Sequence, residues 1–150
     1  MDTSRLAVCV PTYQRSHMLR DCLLSLEKLH IPQGFEVYVI VVDNDEQGQT
    51  KTIIDELSEN FCFPLYYFIE AERGLASVRN RILEEALASN ADLLAFIDDD
   101  EQAEPRWLEQ HLKALEKHRA VVSCGPVRPI GANLEVKGKK PLVDGSRPRH

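Results

Sequence analysis

No apolar run in this 150-residue chain approaches the ~18–20 residues needed to cross a bilayer. The start, Met1-Asp2-Thr3-Ser4-Arg5, leads only into a short apolar stretch, which argues against a secretory signal and makes a cytoplasmic location the expectation. Cysteine is sparse: Cys9, Cys22, Cys62 and Cys124 form no CxxC pair and share no metal-ligand spacing with the five histidines. Buried free thiols in a reducing compartment are the expectation. Basic charge is also short. The net charge of −6 excludes a partner held by a generally basic surface, and so excludes nucleic acid. No GxSxG, GxxxxGK[ST] or GxGxxG is present, which removes the nucleophile elbow, the P-loop and the dinucleotide fingerprint. There is one tryptophan, Trp107, and its two readings are a core residue or a platform for a sugar ring.

What the chain does have is alternation. Leu6–Val10, Val37–Val42, Leu65–Ile69 and Leu93–Ile97 are short apolar runs that predict buried strands, and Val121–Cys124 predicts a fifth. Between them, apolar residues recur at helical spacing: Leu19, Cys22, Leu23, Leu26 and Leu29, then 50–59, then Leu75, Val78, Ile82 and Ala86, then Leu108, Leu112 and Leu115. A βαβ rhythm implies an α/β fold, a mostly parallel sheet with helices on both faces. After Gly125 the periodicity ends. Residues 126–150 hold four of the eight prolines, and residues 131–150 carry five basic against two acidic side chains, leaving −9 for the first 130. The expected organisation is one domain over 1–130 and a basic, disordered tail over 131–150.

Three predicted strands end in polar residues: Pro11-Thr12-Tyr13-Gln14-Arg15, Asp43-Asn44-Asp45-Glu46 and Asp98-Asp99-Asp100-Glu101. A parallel sheet brings these ends to one edge, where open α/β sheets bind ligands. The loop Glu72-Arg73-Gly74 enters a helix bearing Arg79, Asn80 and Arg81. Four consecutive acids repel one another unless a cation offsets them. Mg²⁺ or Mn²⁺, held by one or two carboxylates and by phosphate oxygens, suits such a site. The alternative is a solvated acidic turn opening the next helix. For Arg79 and Arg81 the alternative is a solvated helix face.

These motifs, Val8-Cys9-Val10-Pro11-Thr12-Tyr13-Gln14-Arg15, Val41-Val42-Asp43-Asn44, Arg73-Gly74-Leu75-Ala76-Ser77-Val78-Arg79-Asn80, Phe96-Ile97-Asp98-Asp99-Asp100-Glu101 and Trp107-Leu108, closely resemble family 2 glycosyltransferases of the GT-A fold. The flavour is that of bacterial enzymes of exopolysaccharide assembly, including succinoglycan-type ones, and the resemblance covers about residues 5–130. It implies metal-assisted transfer, with inversion, of a sugar from a nucleotide-sugar donor, expected to be a UDP-sugar, to the hydroxyl of a glycan or lipid-linked acceptor. It implies Pro11 and Tyr13 at the base, Asp43 and Asn44 at base or ribose, and Asp98 at ribose. Asp99 takes the middle position of the D-x-D pattern, Asp100 holds the metal, and Arg73 and Arg79 neighbour the diphosphate. Many members carry Asp where Asn44 stands.

Members also continue well beyond this length into an acceptor half with a catalytic base. Here the acids after Cys124, Glu135 and Asp144, sit in no motif, so no residue is assigned as base. The expectation is a chain truncated after its nucleotide-binding half, acting at the inner face of the membrane through peripheral association. The alternative is a non-catalytic nucleotide-sugar-binding remnant. A phosphoacceptor domain of clustered aspartates also fits the acids, but it needs a late lysine that no strand end provides.

Overall fold

The computed structural model describes residues 2–128 and 130. Eight elements alternate: β1 (Ser4–Thr12), α1 (Ser16–Leu26), β2 (Phe35–Asp43), α2 (Lys51–Ser58), β3 (Leu65–Ile69), α3 (Leu75–Ala88), β4 (Leu93–Phe96) and α4 (Trp107–His118). The four strands form one sheet in the order β3-β2-β1-β4. Every pairing is parallel, with Val8 level with Val39 and Ala95.

The continuous apolar runs of β1 and β2 divide between two cores because strand side chains alternate between faces. Leu6, Val8, Val10, Val37, Val39 and Val41 face one side, where Leu19, Cys22, Leu23 and Leu26 of α1 cover them together with Ile54 of α2 and Leu108 of α4. Ala7, Cys9, Tyr38, Ile40 and Val42 face the other side against Val78, Ile82 and Ala86 of α3. Both central strands are thereby buried on both faces. β4 is not: Leu94 and Phe96 are level with Ala7 and Cys9, yet stand exposed beyond the reach of α3.

The expected fifth strand does not form. Val121–Cys124 has no ladder partner among the described residues, and Val121 and Val122 are 96% and 72% exposed. Two valines with a serine and a cysteine favour a strand only where a neighbour and a core receive them. The expected tail, 131–150, lies outside the described residues. Trp107, half-buried, packs against the first core, edge-on to His111.

The thiols divide in a way the sequence reading did not anticipate. Cys9 and Cys22 are fully buried, whereas Cys62 and Cys124 are exposed, and all four are free. Burial pushes the Cys9 and Cys22 thiols up to about 12, with the acids at 98–101 adding to the effect on Cys22. A thiol reagent at pH 8 should therefore label Cys62 and Cys124 in the native protein and reach Cys9 and Cys22 only in denaturant. Because their native pKa lies above the unfolded value, the two buried thiols contribute stability that is full below pH 9. It is lost as pH rises from about 9 toward 12, by up to about 1.4 kcal/mol per thiol per pH unit. Urea midpoints at pH 8 and pH 10 should show that fall, and Cys9→Ala should reduce it by about half, leaving the share of Cys22.

Candidate functional site

All four strands end at the same edge, and their loops enclose a cleft of about 580 Å³. Its lining includes Pro11, Thr12, Tyr13 and Arg15 after β1, Asn44 after β2, Arg73, Gly74 and Arg79 at the start of α3, and Asp98, Asp99 and Asp100 after β4. Of the nine residues singled out from the sequence, eight line this cleft; Asp43 does not. A larger groove of about 1050 Å³ opens between His30–Phe35 and α4. Its charges include Glu109 and Lys113, which are paired with each other at 2.6 Å, so the edge with converging aspartates and arginines is the chemical one.

Asp43 is fully buried, and both its oxygens are engaged. Oδ1 accepts from the Asp45 amide at 2.9 Å, and Oδ2 accepts from the hydroxyls of Thr50 at 2.5 Å and Tyr67 at 2.7 Å. This corrects the expectation that it touches base or ribose: with no exposed surface it holds the 45–50 loop onto β3 instead. The Tyr67 phenol is in turn raised above its ordinary pKa, first by burial and then by its bond to Asp43. Asn44 borders the cleft with its amide already committed. Nδ2 donates to the carbonyls of Glu70 and Glu72, both at 2.8 Å, and Oδ1 accepts from the Gly74 amide at 3.0 Å. Gly74, at φ 128 and ψ 149, occupies backbone space that is essentially glycine's alone, and this lets the chain turn from that clamp into α3.

The clamp sets Arg73 over the Tyr13 ring, its guanidinium carbon 4.0 Å from the centroid. Arg79 lines the cleft. Arg81 points elsewhere, pairing with Glu85 at 2.8 Å and lying over Phe68, as a helix-face residue does.

The acidic turn is not uniform. Asp98 and Asp100 are exposed in the cleft, whereas Asp99 is 5% exposed. Asp99 accepts from the Thr12 hydroxyl at 2.9 Å and from Arg15 at 3.2 Å. Glu101 turns back to the Asp98 amide at 3.2 Å and stays out of the cleft lining. Thr12 and Arg15 are the site residues that the sequence reading left unassigned. Their signal was polarity at a strand end opposite an acid run, which says nothing of the partner.

No group of three or more His, Cys, Asp and Glu among the described residues forms a metal cage. The donors present are exposed carboxylates facing an open cleft. That set suits a hard divalent ion that completes its shell with waters and phosphate oxygens. Arg15 already places a cation beside Asp100, which agrees with that preference.

The chain matches the model of glycosyl transferase family 2 over residues 7–148, and it belongs to that family. It is 31% identical over 127 residues to the succinoglycan biosynthesis protein ExoM of Rhizobium meliloti, a span of 85% of this chain and 40% of that protein. It is 33% identical over 122 residues to the uncharacterized glycosyltransferase YfnE of Bacillus subtilis, 81% of this chain and 29% of that one. The chain thus spans well under half the length of these relatives. Among solved structures, TarS 1–349 of S. aureus in complex with UDP-GlcNAc superposes with a TM-score of 0.61 at 25% identity. It covers 77% of this chain and 32% of that one. The mannosyltransferase PcManGT from Pyrobaculum calidifontis, in complex with GDP-Man and Mn²⁺, gives 0.64 at 25% identity, over 75% of this chain and 32% of that one. The fold is GT-A.

Asp43→Ala should lower stability by roughly 1–3 kcal/mol, because it strands two hydroxyls and an amide in a buried place. A urea titration followed by circular dichroism measures this. Because the cleft face of the clamp is Asn44, nucleotide affinity at saturating fold should change less than stability does.

Proposed function

We propose that the cleft binds a nucleotide-sugar, a uridine diphosphate sugar in particular, and that the intact enzyme transfers the sugar with inversion to a glycan or lipid-linked hydroxyl. The observation that carries this reading is the composition of the cleft, which Asp98, Asp99 and Asp100 line together with Arg15, Arg73, Arg79 and Tyr13. An acid cluster alone repels a diphosphate; acids and arginines together accept one when a divalent ion joins them.

In this reading Tyr13 and Pro11 receive the base. The ring of Tyr13 already carries a planar, delocalised group in Arg73, which supports its use as a stacking surface. Asp98 accepts from ribose hydroxyls. Arg73 and Arg79 attract the diphosphate, and Asp100 with a neighbouring carboxylate would hold Mg²⁺ or Mn²⁺. The ion, when bound, stabilises the charge that builds on the departing diphosphate. The manganese in the PcManGT complex supports the choice of ion.

No helix among the described residues is long and apolar enough to cross a membrane. We place the protein in the cytoplasm, at the inner membrane face, where lipid-linked acceptors are met. The domain over 1–130 and a basic tail over 131–150 belong to the same proposal.

Calorimetric titration of UDP, GDP and their sugars tests the reading. UDP should bind more tightly with Mn²⁺ than with excess chelator, and Asp100→Ala should remove that difference. Equal affinity in chelator would sink the metal role. Turnover measured beside binding separates a transferase from a chain that only holds the donor, since well-placed general acid–base catalysis contributes about 10²–10⁴-fold.

A further inference from the structure

Arg15 has no assigned part in the reading above, yet it sits at its centre. One guanidinium nitrogen, Nη1, donates to Oδ1 of Asp99 and to Oδ2 of Asp100, each at 3.2 Å. The two halves of this bridge differ in strength. The Asp99 side chain is 6% exposed and is held a second time by the Thr12 hydroxyl at 2.9 Å. The Asp100 side chain is 49% exposed, and Arg15 is its one hydrogen-bond partner among the described residues.

An ion pair that open to water is weak, because solvent screens it and both side chains keep their freedom. A divalent cation bonds directly to the carboxylate oxygen and carries twice the charge. Between these competitors for Asp100, the metal wins once it arrives; for Asp99, buried and doubly held, the arginine stays.

We propose that Arg15 is a positioning residue that acts as the internal counter-ion of the empty donor site and yields Asp100, but not Asp99, when a divalent cation binds. The proposal rests on the assignment of Asp100 as the metal carboxylate. It requires no backbone movement. Arg15 caps α1, its carbonyl accepting from the Leu19 amide at 2.8 Å, and the left-handed Gln14 at φ 50 sets its direction. Turning the terminal torsions of the side chain is enough to release one oxygen.

Two consequences follow from charge alone. Metal without nucleotide must displace a cation and then sit beside it, so it binds weakly. Metal with nucleotide meets a guanidinium whose freed hydrogens can turn to phosphate oxygens, so each ligand helps the other, and by linkage equally.

The test is Mn²⁺ binding to the full chain, read from the paramagnetic resonance signal of free Mn²⁺, with and without UDP. Arg15→Gln should bind Mn²⁺ alone about two- to five-fold more tightly than the unaltered chain, the range expected for removing one exposed ion pair. It should also show a smaller gain on adding UDP. Arg15→Lys, which keeps the charge, should stay near the unaltered chain. Asp100→Ala should lose Mn²⁺ binding.

If Asp100→Ala loses the metal while Arg15→Gln binds it no better, the exchange is wrong and the metal assignment stands. If Asp100→Ala keeps the metal, both fall. A second measurement does not depend on how the variants fold. In the unaltered chain with UDP, the Arg15 Nε–Hε resonance should move on titration with Mg²⁺, and a resonance that stays fixed while Mg²⁺ binds overturns the proposal.

Discussion

The site hangs on one line of hydrogen bonds that crosses the carboxyl edge of the sheet. It begins at the carbonyls of Glu70 and Glu72 and the amide of Gly74, all held by the Asn44 side chain. The Asn44 backbone N–H then donates to the Thr12 carbonyl at 2.9 Å, the Thr12 hydroxyl donates to Asp99, and Asp99 accepts from Arg15. Four strand ends are joined by the Asn44 side chain, one backbone bond from Asn44 to Thr12, and the bonds of Thr12 and Arg15 to Asp99. Asn44, Thr12 and Asp99 are buried, where each bond is shielded from water and each missing partner is costly. Precision at the cleft therefore rests on buried residues of its lining whose polar groups are bonded to one another.

The apolar runs reveal the fold more fully than the polar residues reveal the site, and the reason is physical. A run such as Leu6–Val10 has one comfortable place, the doubly covered centre of a parallel sheet, and the two-residue period splits it between two cores without further instruction. Val121–Cys124 is a shorter run with a serine in it, and a strand also needs a free edge in register and a helix to cover it. Neither condition is written in those four residues. Burial of Cys9 and exposure of Cys62 divide on the same ground: the first lies inside such a run, the second in a turn between elements.

Polar residues at strand ends are ambiguous in a different way. An acid there can face a ligand or face inward to tie loops together, and both uses place Asp at the same point of the chain. Asp43 is the last residue of β2 and Asp98 stands two residues past β4, yet one is fully buried with three donors and the other lies in the cleft. What separates them is the surroundings. Thr50 and Tyr67 converge on Asp43 from α2's start and from β3, contacts that no motif spanning Val41–Asn44 encodes. Arg79 and Arg81 show the same limit, two positions apart on one helix, where the first lines the cleft and the second pairs with Glu85.

Electrostatics then explains why such an edge stays folded without a ligand. Three aspartates and three arginines line the cleft, so formal charge balances before any nucleotide arrives. Balance is not neutral chemistry, however. The acids are gathered on the turn after β4 and the arginines on the loops after β1 and before and within α3, with Arg15 alone crossing between them. A dianionic diphosphate entering next to Arg73 and Arg79 brings negative charge toward the acids. A divalent cation entering beside Asp100 brings positive charge toward Arg15. Either alone disturbs the balance, and the pair together restores it. A cleft of this charge arrangement favours the two ligands jointly, which is what the proposed metal-assisted binding of a nucleotide-sugar requires.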